Sequence, residues 1–160
     1  MIDLNAAGQG LEGYGLLKAQ LESLFSEERD FIANAAQFSA FLHSHVEDLN
    51  WAGFYINRNE ELVLGPFQGQ VACVRIAFGR GVCGAAAATR ETQRVEDVHA
   101  FPGHIACDSA SNSELVVPLV KEGRLIGVLD LDSPRVGRFS EQDQRGIEAL
   151  VDVFLRLTDC

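Results

Sequence analysis

Positive charge is scarce in this sequence: 13 Lys and Arg stand against 23 Asp and Glu, for a formal net charge of -10. Nucleic-acid affinity rests on neutralising phosphates with cations, so no nucleic-acid partner is expected, and no anionic membrane surface either. Long apolar runs are also missing. Nothing approaches the roughly 20 residues that cross a bilayer, and Met1 to Gly10 has neither the basic start nor the apolar stretch of a secretory signal. A cytoplasmic location is the expectation. Cysteine is sparse, at positions 73, 83, 107 and 160, and a reducing compartment argues against static structural disulfides. No repeat, low-complexity tract or linker interrupts the 160 residues, so one domain over 1–160 is expected, with 1–10 as a flexible leading segment.

What is present is strong periodicity. Tyr14, Leu17, Leu21 and Leu24, then Phe31, Ala35, Phe38, Leu42 and Val46, recur at helical spacing and predict two N-terminal amphipathic helices. From Trp51 the texture changes to short β-branched and aromatic runs over 51–56, 62–67, 71–78, 95–98, 115–120 and 125–131, which read as six strands. Polar turns at 57–60 and 121–124 make the first and last strand pairs antiparallel neighbours. Four consecutive alanines within 81–89 predict a short helix, and 99–113 reads as one long loop of the kind that carries function. Ser140, with Asp143 three residues on, caps a closing helix whose apolar face is Ile147, Leu150, Val151, Phe154 and Leu157. The fold class is therefore α+β: a six-stranded, mainly antiparallel sheet with N-terminal and C-terminal helices packed on it.

Gly79-Arg80-Gly81-Val82-Cys83-Gly84 matches a dinucleotide-binding fingerprint letter for letter, with Asp97 at a suitable distance. That fingerprint works only inside βαβ units with a parallel sheet, and hairpins dominate here. The glycines are better read as a tight turn at a cavity wall.

Cys107 stands among small polar residues in the long loop, where a thiol is a liability unless its reactivity is used. Cys73, read on a strand, and Cys83, just after the glycine-rich turn, could each be small core residues. Zinc is a rival use of the three cysteines with His99 and His104, but no C-x2-C or H-x3-H pair exists to anchor it, so no metal is expected. On the last strand, alternation puts Asp130 and Asp132 on one face in line with Ile126 and Val128, so these acids continue an apolar face and mark a partly desolvated cavity. Glu114 is ambiguous. A two-residue turn at Glu122-Gly123 pairs position 114 with 131 and turns Glu114 to the wrong face, unless a bulge near Pro118 shifts the register or Glu114 belongs to the loop.

Cys73, Cys83 and Cys107, the segment Asn50-Trp51-Ala52-Gly53-Phe54-Tyr55, the glycine-rich turn, Glu114, and Leu129-Asp130-Leu131-Asp132-Ser133 together, in order, resemble the free methionine-(R)-sulfoxide reductases, built on a single GAF domain. The likeness runs from the first helix to Leu157. It implies a GAF-like fold, and reduction of free L-methionine-(R)-sulfoxide by thiol chemistry. Cys107 would be the nucleophile, Cys73 the main resolving thiol and Cys83 an auxiliary one. Glu114, Asp130 and Asp132 would bind substrate, with Trp51 as an aromatic wall beside its methyl group. It implies no cofactor, an external reductant such as thioredoxin, and a homodimer through the N-terminal helices. Cys160 matches nothing in the pattern. A non-catalytic GAF small-ligand sensor and a zinc-binding domain are the competing readings from other classes.

Overall fold

The computed structural model describes residues 11–104 and 110–160; the expected flexible segment 1–10, and Cys107, lie outside them. Two helices, α1 (Leu11–Leu24) and α2 (Phe31–His45), precede the strands β1 (Trp51–Asn57), β2 (Glu61–Gly69) and β3 (Arg75–Ala77). Then come α3 (Gly81–Thr89), β4 (Gln93–Val95), a 3-10 turn at Val98–Ala100, β5 (Ser113–Lys121), β6 (Arg124–Ser133) and α4 (Glu141–Arg156). The sheet order is β3-β2-β1-β6-β5-β4, and every pairing is antiparallel.

Local chemistry sets these elements. At the β5–β6 hairpin, Glu122 and Gly123 have φ of 53° and 76°, the paired positive values that match the twist of a two-residue connection. Asp30 caps α2 by accepting from Ala33 N at 2.9 Å. Ser140 and Asp143 form a reciprocal capping box at the start of α4.

The sheet separates two apolar layers. Ala52, Phe54, Leu115, Val117, Leu129 and Leu131 face the helices α1, α2 and α4. Around them the rings of Phe25, Phe38, Phe54 and Phe154 meet at centroid distances of 5.2–6.2 Å. The opposite face packs Trp51, Tyr55, Val116 and Val128 against Val82, Ala86 and Ala87 of α3. Alternation along each strand produces this division.

Several boundaries differ from expectation. The strand predicted over 71–78 shrinks to Arg75–Ala77, so Cys73 lies in the β2–β3 connection and not on a strand. The strand predicted at 95–98 sits earlier, because Asp97 accepts from His99 N at 3.0 Å and starts the 3-10 turn. Leu24 is exposed, and Phe25 takes its place in the core. The antiparallel order also removes the dinucleotide reading: Asp97 caps a turn, and Gly79 N donates to Gly84 O at 2.8 Å to close the tight turn that launches α3.

One irregularity decides which side chains share a face. Val120 pairs with Leu125, yet Leu119 pairs with Gly127, leaving Ile126 as the extra residue of a bulge. Ile126 accordingly packs against the helical layer while Val128 belongs to the other. The expectation that Ile126 continues the face of Asp130 is corrected.

Helix α1 joins α4 through apolar packing of Leu17 and Leu21 and through a polar anchor at Tyr14. Tyr14 Oη donates to Asp143 Oδ1 at 2.7 Å, and Arg138 Nη1 donates to Asp143 Oδ2 at 3.0 Å with both side chains buried. Below the ring lies Gly146, where a Cβ would fall 2.1 Å from Tyr14. Gly146→Ala should therefore lower unfolding free energy by about 1–3 kcal/mol, as overpacking does. A urea titration followed by circular dichroism would check this.

Candidate active site

The bulge gives β5 the register that brings the acids together. Glu114 pairs with Asp132 and Val116 with Asp130, while across β6 Trp51 pairs with Asp132 and Gly53 with Asp130. Directly opposed residues share a face, so Glu114, Asp130, Asp132, Trp51 and Tyr55 all look into one cavity under α3. The open question of which way Glu114 faces is answered by a register shift at Leu119/Val120, next to Pro118, whose extra residue, Ile126, lies on the partner strand.

The three carboxylates are almost fully enclosed, with exposures of 7% for Glu114, 5% for Asp130 and 8% for Asp132. Cys83, in the first turn of α3, directs its thiol at them, Sγ lying 3.8 Å from Glu114 Oε2. Donor atoms of Cys83, Glu114 and Asp130 fall within 4.8 Å of one another, a set able to hold a cation. Asp130 Oδ1 is buried and accepts no hydrogen bond from the described residues.

Such crowding controls protonation. At about 4.8 Å and an effective dielectric near 20, two ionised carboxylates repel by about 3–4 kcal/mol. Burial, and then the charges of Asp130 and Asp132, hold the Glu114 carboxyl well above the usual range. Burial also raises Asp130, against hydrogen bonds from its neighbours that lower it. The Cys83 thiol is pushed up by burial and by the same acids, Asp130 first, so Cys83 rests as a thiol.

The opposite wall is aromatic. Trp51 stacks on Phe67 at 5.2 Å and 15°, and on Tyr55 at 5.9 Å and 22°. Glycine at 53 is required for this approach, since a Cβ there would lie 2.3 Å from Phe67 Cβ. Trp51 and Tyr55 also hold the β2–β3 connection: Trp51 Nε1 donates to Gln70 O at 3.0 Å and Tyr55 Oη to Cys73 O at 2.8 Å. Burial and the acids keep the Tyr55 phenol protonated.

Of the cysteines, Cys73 is disulfide-bonded, whereas Cys83 and Cys160 carry free thiols. Cys160 lies away from the cavity, next to Thr158 O. His99 shares a hydrogen bond with Asn112 Oδ1 at 3.0 Å, and neither it nor His104 belongs to the group formed by Cys83, Glu114 and Asp130. Tyr55, Arg80, His104 and Ser111 line the cavity and were not assigned to it from the sequence, where His104 was weighed only as a zinc ligand. Tyr55 was within reach, because it alternates with Trp51 and Gly53 on one strand. The other three lie at turns and loop ends, where no periodicity points inward.

A six-stranded antiparallel sheet with α3 closing a pocket on one face and helices covering the other defines a GAF domain, and the GAF domain model matches residues 33–154. The free methionine-R-sulfoxide reductase of Escherichia coli strain K12 is 54% identical over 140 residues, spanning 88% of this chain and 85% of that protein. The structure of fRMsr of Staphylococcus aureus in its reduced form superposes with a TM-score of 0.88 at 49% identity, over 90% of this chain and 94% of that one. The X-ray structure of free methionine-R-sulfoxide reductase from Neisseria meningitidis in complex with its substrate gives 0.88 at 45% identity, over 92% and 89%. The chain belongs to the free methionine-R-sulfoxide reductase family of GAF-domain proteins.

The raised Glu114 carboxyl has a measurable consequence. Folded protein retains this proton while unfolded chain releases it above the ordinary value of 4.5, so its contribution is fully present below that value and is lost as pH rises toward the folded one. Each pH unit in that window costs about 1.4 kcal/mol per retained proton. Glu114→Gln, which cannot ionise, should raise the melting temperature at pH 8 relative to wild type and leave it nearly unchanged at pH 4. Thermal melts across pH would test this; parallel wild-type and variant curves would refute it.

Proposed function

We propose that the chain reduces free L-methionine-(R)-sulfoxide to L-methionine by thiol chemistry. The observation that carries this reading is the buried group Glu114, Asp130 and Asp132, with an Asp130 Oδ1 that no described residue satisfies, facing the stacked Trp51 and Tyr55. An ammonium group satisfies that oxygen and relieves the repulsion by charge-assisted hydrogen bonds. The sulfoxide methyl suits the aromatic wall. A cyclic-nucleotide sensor is disfavoured because an anionic ligand would meet the same acids.

In the reaction, Cys107 attacks the sulfoxide sulfur, and the oxygen passes to Cys107 as a sulfenic acid while methionine leaves as the sulfide. A proton delivered to the sulfoxide oxygen from the carboxylate cluster promotes the step, a contribution of about 10²- to 10⁴-fold. Glu114 is suited to supply it because burial keeps its proton in place near neutrality. The Cys73 thiol then condenses with the sulfenic acid, forming the Cys73–Cys107 disulfide and releasing water. Cys83 is an auxiliary partner, and its raised thiol makes it the slower one.

Two electrons must then return from outside. A dithiol protein of the thioredoxin kind fits, since Cys73 is flanked by Val71 and Val74, exposed at 86% and 61%, an apolar rim beside the disulfide. We place the enzyme in the cytoplasm as a homodimer joined through its N-terminal helices; no described helix is long and apolar enough to cross a membrane.

Cys107→Ser should lose at least 10³-fold in methionine release from the R sulfoxide with dithiothreitol as reductant. Full turnover in that variant would sink the mechanism. Cys73→Ser should keep most dithiothreitol-driven turnover and lose at least tenfold when thioredoxin is the only reductant. An equal loss with both reductants would remove Cys73 from the resolving step.

A further inference from the structure

We infer that a second cavity, at the hairpin end of the sheet, binds a single aliphatic chain that ends in a carboxylate. The cavity has a volume of about 680 Å³, within the range of small-molecule sites. Its wall is drawn from the start of α2, from β1 and β2, and from the β5–β6 hairpin, and it shares no lining residue with the cavity under α3.

Three guanidinia line it, those of Arg58, Arg90 and Arg124. The tip of the β5–β6 hairpin gathers them. Arg90 Nη1 donates to Gly123 O at 2.8 Å, and the next residue, Arg124, donates from Nη2 to Cys160 O at 3.2 Å. Asn57, which precedes Arg58, donates from Nδ2 to Leu125 O at 3.0 Å. None of the three arginines is in an ion pair among the described residues, although the chain carries 23 acids against 13 cations. The one acid among the described residues of the wall is Asp159, and it is taken at 2.7 Å by Arg29, which lies outside the cavity. Three like charges in one concave site concentrate positive potential there, and an anion relieves their repulsion. The guanidinium fork meets a carboxylate by two parallel hydrogen bonds.

The rest of the wall selects the body of the ligand. Ile32, Ile56, Val63, Leu64, Leu125 and Ile126 make it aliphatic, and Ile32 is 60% exposed, area that an apolar occupant removes from water. A nucleotide base would need polar groups to read its edge and an open ring to stack on. Asn57 offers neither of its polar atoms, because Oδ1 already accepts from Glu60 N at 3.0 Å and Nδ2 is bonded to Leu125 O. Phe31, the aromatic residue of the wall, is engaged edge-on by Phe54 and Phe154 at 6.5 and 5.9 Å. The net charge of -10 repels an anionic lipid surface, so the occupant is one soluble amphiphile and not a membrane.

Octanoate and octanamide are the probes, the same chain with and without its charge. At about pH 7.5 the acid is ionised, and titration calorimetry should show it binding about 10- to 100-fold more tightly than the amide, the worth of a charge-assisted contact. Decanoate, two methylenes longer, should bind about tenfold more tightly than octanoate. The double variant Arg58→Met, Arg124→Met should bring octanoate to the level of octanamide, and Arg58→Lys, Arg124→Lys should restore part of the difference. Position is read at Cys160, a half-buried free thiol on the same wall. Decanoate at ten times its dissociation constant should slow iodoacetamide alkylation of Cys160, followed by peptide mass, by about tenfold. Equal binding of acid and amide, octanoate binding unchanged in the double Met variant, or a Cys160 that is not protected would overturn the assignment. So would binding to phosphatidylglycerol vesicles without binding of free decanoate. Every readout is of binding alone, so loss of the proposed reductase activity would leave this site standing.

Discussion

The mutual repulsion of three carboxylates in one buried cavity is the constraint on which the rest of this molecule depends. Glu114, Asp130 and Asp132 cannot all ionise where they sit, because burial and proximity both oppose it. The cluster therefore stores at least one proton, keeps the Cys83 thiol uncharged and leaves a buried oxygen without a donor among the described residues. Each of these is a cost to the isolated chain, and under the proposed function each becomes an advantage once an ammonium enters.

The remaining architecture supports that site from behind. The aromatic core of Phe25, Phe38, Phe54 and Phe154 and the buried Tyr14, Asp143 and Arg138 network clamp the helices on the far face of the sheet. That leaves the near face free to carry unfavourable charge. Trp51 and Tyr55 serve both purposes, since their rings form the cavity wall and their polar tips hold the segment that bears Cys73.

Much of this was legible in the sequence. The helices, the antiparallel hairpins and the cap at Ser140 follow from periodicity and turn chemistry, and Asp130 and Asp132 were placed on a cavity-facing side by alternation alone. Glu114 was left open, because its face depends on a bulge that Pro118 only hints at and whose extra residue, Ile126, lies on the partner strand; Gly127, where a Cβ would lie 2.2 Å from Tyr55 O, is intelligible only once the strands are paired. Cys73 was assigned to a strand because its neighbours are β-branched, whereas only Arg75 to Ala77 find a partner. Arg80 attracted notice only as a spacer between glycines. Its place on the cavity wall depends on what α3 faces, and that is a tertiary fact.

The hairpin of β5 and β6 obeys a rule of parity. Side chains alternate with period 2 along a strand, so the one surplus residue at Ile126 reverses the facing of β5 relative to β6. Between that point and the acids, gaining or losing one residue on a single strand would turn Glu114 into the helical layer and an apolar neighbour into the cavity, whereas two would restore the facing. Length variation in this hairpin is thus expected to come in even steps.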